Sequence, residues 1–146
     1  MPLRGIPELI SPELLYALAK MGHGDQLVIA DGNFPSDSTA SLCTVKEPIR
    51  INGSTSEVLE AILALFPLDQ YSIEKVQVMD RVQSDKDRNL SVPAYAALAR
   101  AAQLNEDELT YVERFRFYEK AKASFVVVQT NDRALYANCM IKKGVL

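Results

Sequence analysis

Segments with helical spacing alternate along this chain with short apolar runs, and that alternation constrains the fold more than any other feature. The first helix is bounded by its own signals. Ser11 suits the N-cap, Pro12 the first helical position, and Glu13 complements the positive end of the helix dipole. Leu14, Leu15, Leu18 and Met21 then recur on one face, and Gly22 is positioned to end the helix in a left-handed conformation. After the turn at His23, Gly24 and Asp25, Leu27-Val28-Ile29-Ala30 reads as a short buried strand with Asp31 at its C-terminal end, a common site position in α/β proteins.

The alternation continues. Residues 31–46 carry Gly32, Asn33, Pro35 and several serines and threonines, which predicts a loop. Ser54 and Glu57 form a capping-box pair ahead of Val58, Leu59, Ile62, Leu63 and Leu65, a second helix that Pro67 should end. Residues 75–82 alternate as a strand does, although Asp80 falls on the apolar side. Pro93 opens a third helix to about Gln103, and residues 115–123 predict a fourth that leads into the strand Phe125-Val126-Val127-Val128. Asn131-Asp132 marks a turn before a last strand over 135–141. The expected fold is a three-layer α/β/α sandwich with a central mixed sheet, a single domain over residues 1–146.

Charge and cysteine content narrow the function class. A net charge of −3 with interspersed cations argues against nucleic acid, which calls for a basic patch. No apolar run approaches the ~18 residues of a membrane span, and residues 1–10 lack a secretory signal's apolar core. Cys43 and Cys139 have no metal-ligand spacing and are too few for a disulfide framework, so free thiols in a reducing cytoplasm are expected.

Candidate chemistry begins with His23, the only histidine, set between Gly22 and Gly24. The small neighbours leave its imidazole accessible, but the position equally suits a cap on the preceding helix's carbonyls. A lone histidine makes no metal site, and no cluster of ligating residues lies near it in sequence. Asp31 fits either a turn or a carboxylate that holds hydroxyls or orients His23. In Arg114-Phe115-Arg116-Phe117-Tyr118-Glu119, the phenylalanines read as core while Arg114 and Tyr118 are the polar members able to face a pocket. Tyr136 and Asn138, two apart, are expected on one side of the last strand, where a phenol and an amide suit a polyhydroxylated ligand or simply decorate an edge. No phosphate-binding glycine loop, nucleophile elbow or dinucleotide fingerprint is present.

Together these pieces closely resemble fucose mutarotases, which share a superfamily with ribose pyranase. The resemblance runs through residues 9–15, Met21-Gly22-His23-Gly24-Asp25, Ala30-Asp31, Asn33-Phe34-Pro35 and Pro67-Leu68-Asp69. It continues in Arg114-Phe115, Phe117-Tyr118-Glu119, Tyr136, Asn138 and Lys142-Lys143-Gly144-Val145, and fades between Ser36 and Lys46. It implies that His23 is a catalytic proton donor, that Tyr118 and Tyr136 have catalytic roles, and that Asp31, Asp69, Met79, Arg114 and Asn138 contact the sugar. It further implies a homo-oligomer (decameric rings in bacterial members) and a free monosaccharide substrate, L-fucose first. The family usually reads Tyr-Gly-Asn where this chain has Ala137 between Tyr136 and Asn138.

Mutarotation opens a hemiacetal ring to the aldehyde and recloses it on the other face. One group protonates the ring oxygen while another accepts the anomeric proton. An imidazole, with an ordinary pKa of about 6.5, suits that exchange near neutrality, and neither metal nor cofactor is required. Ribose pyranase chemistry and a non-catalytic sugar-binding oligomer are the competing expectations.

Overall fold

The computed structural model describes residues 2–146. Six strands form one mixed sheet: β1 (Gln26–Ala30), β2 (Ile49–Ile51), β3 (Val76–Met79), β4 (Thr110–Val112), β5 (Val126–Thr130) and β6 (Cys139–Lys142). Their order is β2-β5-β1-β6-β3-β4. Five strands run in one direction, and β6 is inserted between β1 and β3 antiparallel to both.

Successive strand residues face opposite sides, so the apolar run 27–30 feeds two cores at once. Leu27 and Ile29 join Val126, Val128, Val76 and Val78 on one face. That face is covered by α1 (Pro12–Lys20), α3 (Thr55–Leu63) and α5 (Pro93–Ala101) through Leu14, Leu18, Leu59, Ile62 and Leu98. Val28, Ala30, Val127, Met79 and Met140 face the other side, beneath α2 (Ser36–Ala40) and α6 (Arg114–Lys122), whose Ala40, Phe117 and Ala121 are buried against them. A sheet with helices on both faces is the expected architecture.

Local signals explain most boundaries. Ser11 caps α1 by accepting from the Leu14 N–H, with Pro12 at the first position, and Ser54 and Glu57 form a complete capping box on α3. Other expectations are corrected. The left-handed residue after α1 is Gly24 (φ 86°), because the chain leaves the helix at an extended Met21. Residues 31–46 contain the short α2, which forms without a side-chain cap. Helix α3 stops at Leu63, well before Pro67. A further helix, α4 (Gln83–Asp87), has no buried residue and so no apolar periodicity to reveal it. The last strand begins only at Cys139, so Tyr136 and Asn138 precede it, and Tyr136 takes a left-handed φ of 58°.

Candidate functional site

A cavity of about 370 Å³ opens at the carboxyl ends of the parallel strands, within the usual range of roughly 300–1,000 Å³ for small-molecule sites. Asp31 leaves β1 at its floor and is buried. Its backbone N–H donates to Asn138 Oδ1 at 2.8 Å, and Asn138 Nδ2 donates back to Asp31 Oδ2 at 3.1 Å. Asp31 Oδ1 accepts the Asn33 N–H at 2.9 Å, closing a turn that carries Phe34 to the wall. Burial pushes the Asp31 carboxyl above 3.8, against the lowering effect of these hydrogen bonds. An anionic carboxylate this enclosed gains from hydroxyl donors brought by a ligand.

The opposite wall comes from α6. Glu113 caps this helix, accepting from the N–H groups of Phe115 and Arg116, and so orients Arg114 and Tyr118 one turn apart on the same face. Arg114 Nε donates to Tyr118 Oη at 3.3 Å, and the guanidinium carbon lies 5.7 Å from the Tyr118 ring centre. The Tyr118 ring packs against Phe34 with centroids 5.5 Å apart. Tyr136 reaches the cavity through its left-handed backbone, a conformation that costs a non-glycine residue roughly 1–3 kcal/mol. Its hydroxyl donates to Asp85 Oδ2 at 2.5 Å and accepts the Val82 N–H at 3.1 Å. Met79, Asp85 and Arg88 complete the rim with Leu135.

Six of the eight residues singled out from sequence therefore line one cavity: Asp31, Met79, Arg114, Tyr118, Tyr136 and Asn138. His23 and Asp69 do not. They sit at the other end of β6, where the Gly24 N–H donates to the Lys143 carbonyl and the Asp69 N–H to that of Lys142. From Gln26, beside His23, to Asp31 is five strand residues, or about 17 Å at ~3.3 Å each. His23 Nε2 lies 3.1 Å from Asp69 Oδ1, which also accepts the Tyr71 N–H at 3.0 Å. The hydrogen bond from His23, then that from Tyr71, hold the Asp69 carboxyl below its ordinary range. Half of the His23 ring is open to solvent, beside the exposed side chains of Tyr71 and Ile73.

The site also contains residues that the sequence did not single out. Asp85 and Arg88 lie in a polar run with no periodicity, and only their spacing of three, which lets them pair at 2.9 Å, could have drawn notice. Ala137 is not among the residues that line the cavity. Its methyl belongs to the core beneath α3 and α5, and its carbonyl accepts from Thr55 Oγ1 at 2.8 Å. Among the described residues no group of three or more His, Cys, Asp or Glu is placed to hold a metal ion, and no helix is long and apolar enough to cross a membrane.

Comparison with known proteins places this geometry among relatives. Residues 4–146 match the RbsD / FucU transport protein family. The fucose mutarotase of Danio rerio is 50% identical over 148 residues, covering 99% of this chain and 94% of its own. FucU from Bifidobacterium longum superposes with a TM-score of 0.88 at 40% identity, covering 98% of this chain and 99% of its own. The fucose mutarotase from Streptococcus pneumoniae, solved in complex with L-fucose, gives 0.77 at 37% identity and covers 99% of both chains.

Proposed function

The chain belongs to the RbsD / FucU family, and on that premise we propose that it is an L-fucose mutarotase, a cofactor-free isomerase that interconverts the α and β anomers of the free sugar. The observation that carries this reading is the convergence of a buried carboxylate, an amide, a guanidinium and two phenols on one small cavity. Such a set offers hydrogen-bond donors and acceptors to several hydroxyls, as a monosaccharide requires. Asp31 and Asn138 fix hydroxyls at the floor, Arg114 and Tyr118 at the wall, and Met79 supplies an apolar contact beside them.

Ring opening needs an acid at the ring oxygen and a base at the anomeric hydroxyl; His23 is the acid and a tyrosine the base. In this reading His23 and Asp69, separated from their own cavity by ~17 Å of strand, act in the cavity of a second copy, which ties catalysis to homo-oligomerisation. In support, both ends of the molecule expose large apolar side chains, Tyr71 and Ile73 near His23, Phe115 and Leu135 near the cavity. The unpaired, buried Cys43 and Cys139 fit a cytoplasmic setting.

The test is saturation-difference proton NMR on equilibrated L-fucose, irradiating one anomeric proton with and without catalytic amounts of protein. Saturation should pass to the other anomer, and His23→Ala should abolish the transfer. Absence of transfer with L-fucose, while D-ribose shows exchange, would replace this reading with a pyranase; absence with both would leave a sugar-binding protein.

A further inference from the structure

Asp85 is the one carboxylate at the cavity that sugar recognition leaves unused. It sits on α4 with its side chain 18% exposed. Its two oxygens are committed to different partners, Oδ1 to Arg88 at 2.9 Å and Oδ2 to Tyr136 Oη at 2.5 Å. The direction of the second bond matters. A phenol carries a single proton, and that of Tyr136 points at the carboxylate, while the Val82 N–H occupies another position on the same oxygen. Tyr136 can therefore meet a sugar hydroxyl as an acceptor, not as a donor. Tyr118 is arranged the other way, its oxygen accepting from Arg114 Nε and its own proton left for a different partner.

We propose that Asp85 is a positioning residue that makes Tyr136 the base of the mutarotase reaction, by receiving the phenol's proton as Tyr136 takes one from the anomeric hydroxyl. The inference rests on the mutarotase reading. Protons and electrons balance as follows. The anomeric O–H proton moves to Tyr136 Oη, and the Tyr136 proton moves to Asp85 Oδ2. The O1 electron pair forms the C1 carbonyl as the C1–O5 bond breaks, and its electron pair goes to O5, which takes a proton from the acid, His23 in the reading above. Reclosure after rotation about the C1–C2 bond reverses all three transfers: O5 returns its proton to the acid, Asp85 returns one to Tyr136, and Tyr136 returns one to O1. Between turnovers the proton rests on the phenol, because burial and the hydrogen bond to Asp85 hold Tyr136 above its ordinary value, and the carboxylate is left free to accept it during the step. Arg88 keeps Asp85 oriented and ionised between turnovers, and the carboxyl lies below its usual range, chiefly through the Tyr136 hydrogen bond.

A kinetic cycle tests this. The wild-type protein is first shown to transfer saturation between L-fucose anomers; without that transfer the mutarotase reading and this inference fall together. D85N, nearly isosteric and still able to accept the phenol's proton in a hydrogen bond, should slow exchange at least tenfold with less than a threefold change in half-saturating fucose. Y136F should do the same. The double variant should be no slower than Y136F by more than twofold, because Asp85 acts only through that hydroxyl. D85E, which restores the charge, should exceed D85N at least threefold, and D85A takes the place of D85N in the cycle if that variant melts below assay temperature. Exchange in D85N within twofold of wild type overturns the proposal. So does a double variant that shows the product of the two single losses, since Asp85 would then act independently of Tyr136.

Discussion

Replacing Asn138 by alanine removes the clamp on Asp31 and should weaken both fold and site. Two interactions are lost: the buried Asp31 N–H loses its acceptor at 2.8 Å, and the carboxylate loses a donor at 3.1 Å. An orphaned buried donor costs about 1–3 kcal/mol and a hydrogen bond to a charged group contributes about 1.5–3 kcal/mol. Water from the adjoining cavity offsets part of both, so a net loss of about 3 kcal/mol is expected. For a chain of this size that corresponds to a fall in Tm of roughly 6–12 °C.

The pH dependence has a definite sign. Asp31 already holds its proton to higher pH than the unfolded chain, whose carboxyl titrates near 3.8. Between 3.8 and the folded value the native state binds more protons, so this residue's contribution to stability falls as pH rises. Loss of the Asn138 donor moves the folded value further up. The deficit of Asn138→Ala should therefore be smallest at or below pH 3.8 and grow toward neutrality. Calorimetric melts of both proteins across that range, with fucose titration at pH 7, measure these effects. A Tm within 2 °C of wild type and unchanged fucose saturation would refute the assignment of Asn138 as the clamp.

Gly144→Ala should destabilise through backbone collision, since an added Cβ would lie 2.4 Å from the Leu68 carbonyl oxygen. The Gly144–Pro67 and Asp69–Lys142 backbone hydrogen bonds would part at about 0.5–1.5 kcal/mol each. A thermal melt should show the loss, and the His23 side-chain resonances should shift as Asp69 moves away. An unaltered melt would mean that the 67–69 segment yields freely. Cys139 should resist thiol reagents in the folded protein, because complete burial pushes its thiol up to about 12, and should react once denaturant is added. Rapid native labelling at Cys139, located by mass spectrometry, would contradict that burial.

What could be read from the sequence followed from residues whose role is local. Ser11, Pro12, Ser54 and Glu57 mark helix starts because capping is decided within a few residues. The runs 27–30 and 126–128 announce strands because both faces of the sheet are covered. The set of candidate site residues was legible through family likeness, and the structure places six of its eight members around one cavity. Strand β2 and helix α4 were not legible, being three and five residues long and held by what they pack or pair with. The regular alternation of residues 135–141 predicts a strand through Tyr136; the left-handed turn there is imposed by tertiary partners. The separation of His23 from the cavity is a matter of topology, which no local pattern encodes.

The reversal of β6 has a consequence for how such a pocket can change its ligand. Parallel strands normally build a site from the loops at their carboxyl ends alone. Here the amino end of a buried antiparallel strand enters the same rim, so the segment preceding β6 touches the cavity while residues 139–142 are gripped by β1 and β3. Variation is thus tolerated at the exposed residues 133–135 and forbidden within β6. Residues 133–135 lie at the surface, and Leu135 borders the opening. Exchange or lengthening there can reshape the mouth for a differently substituted sugar and leave the sheet's register untouched, so it is the natural segment at which to redirect this scaffold toward other monosaccharides.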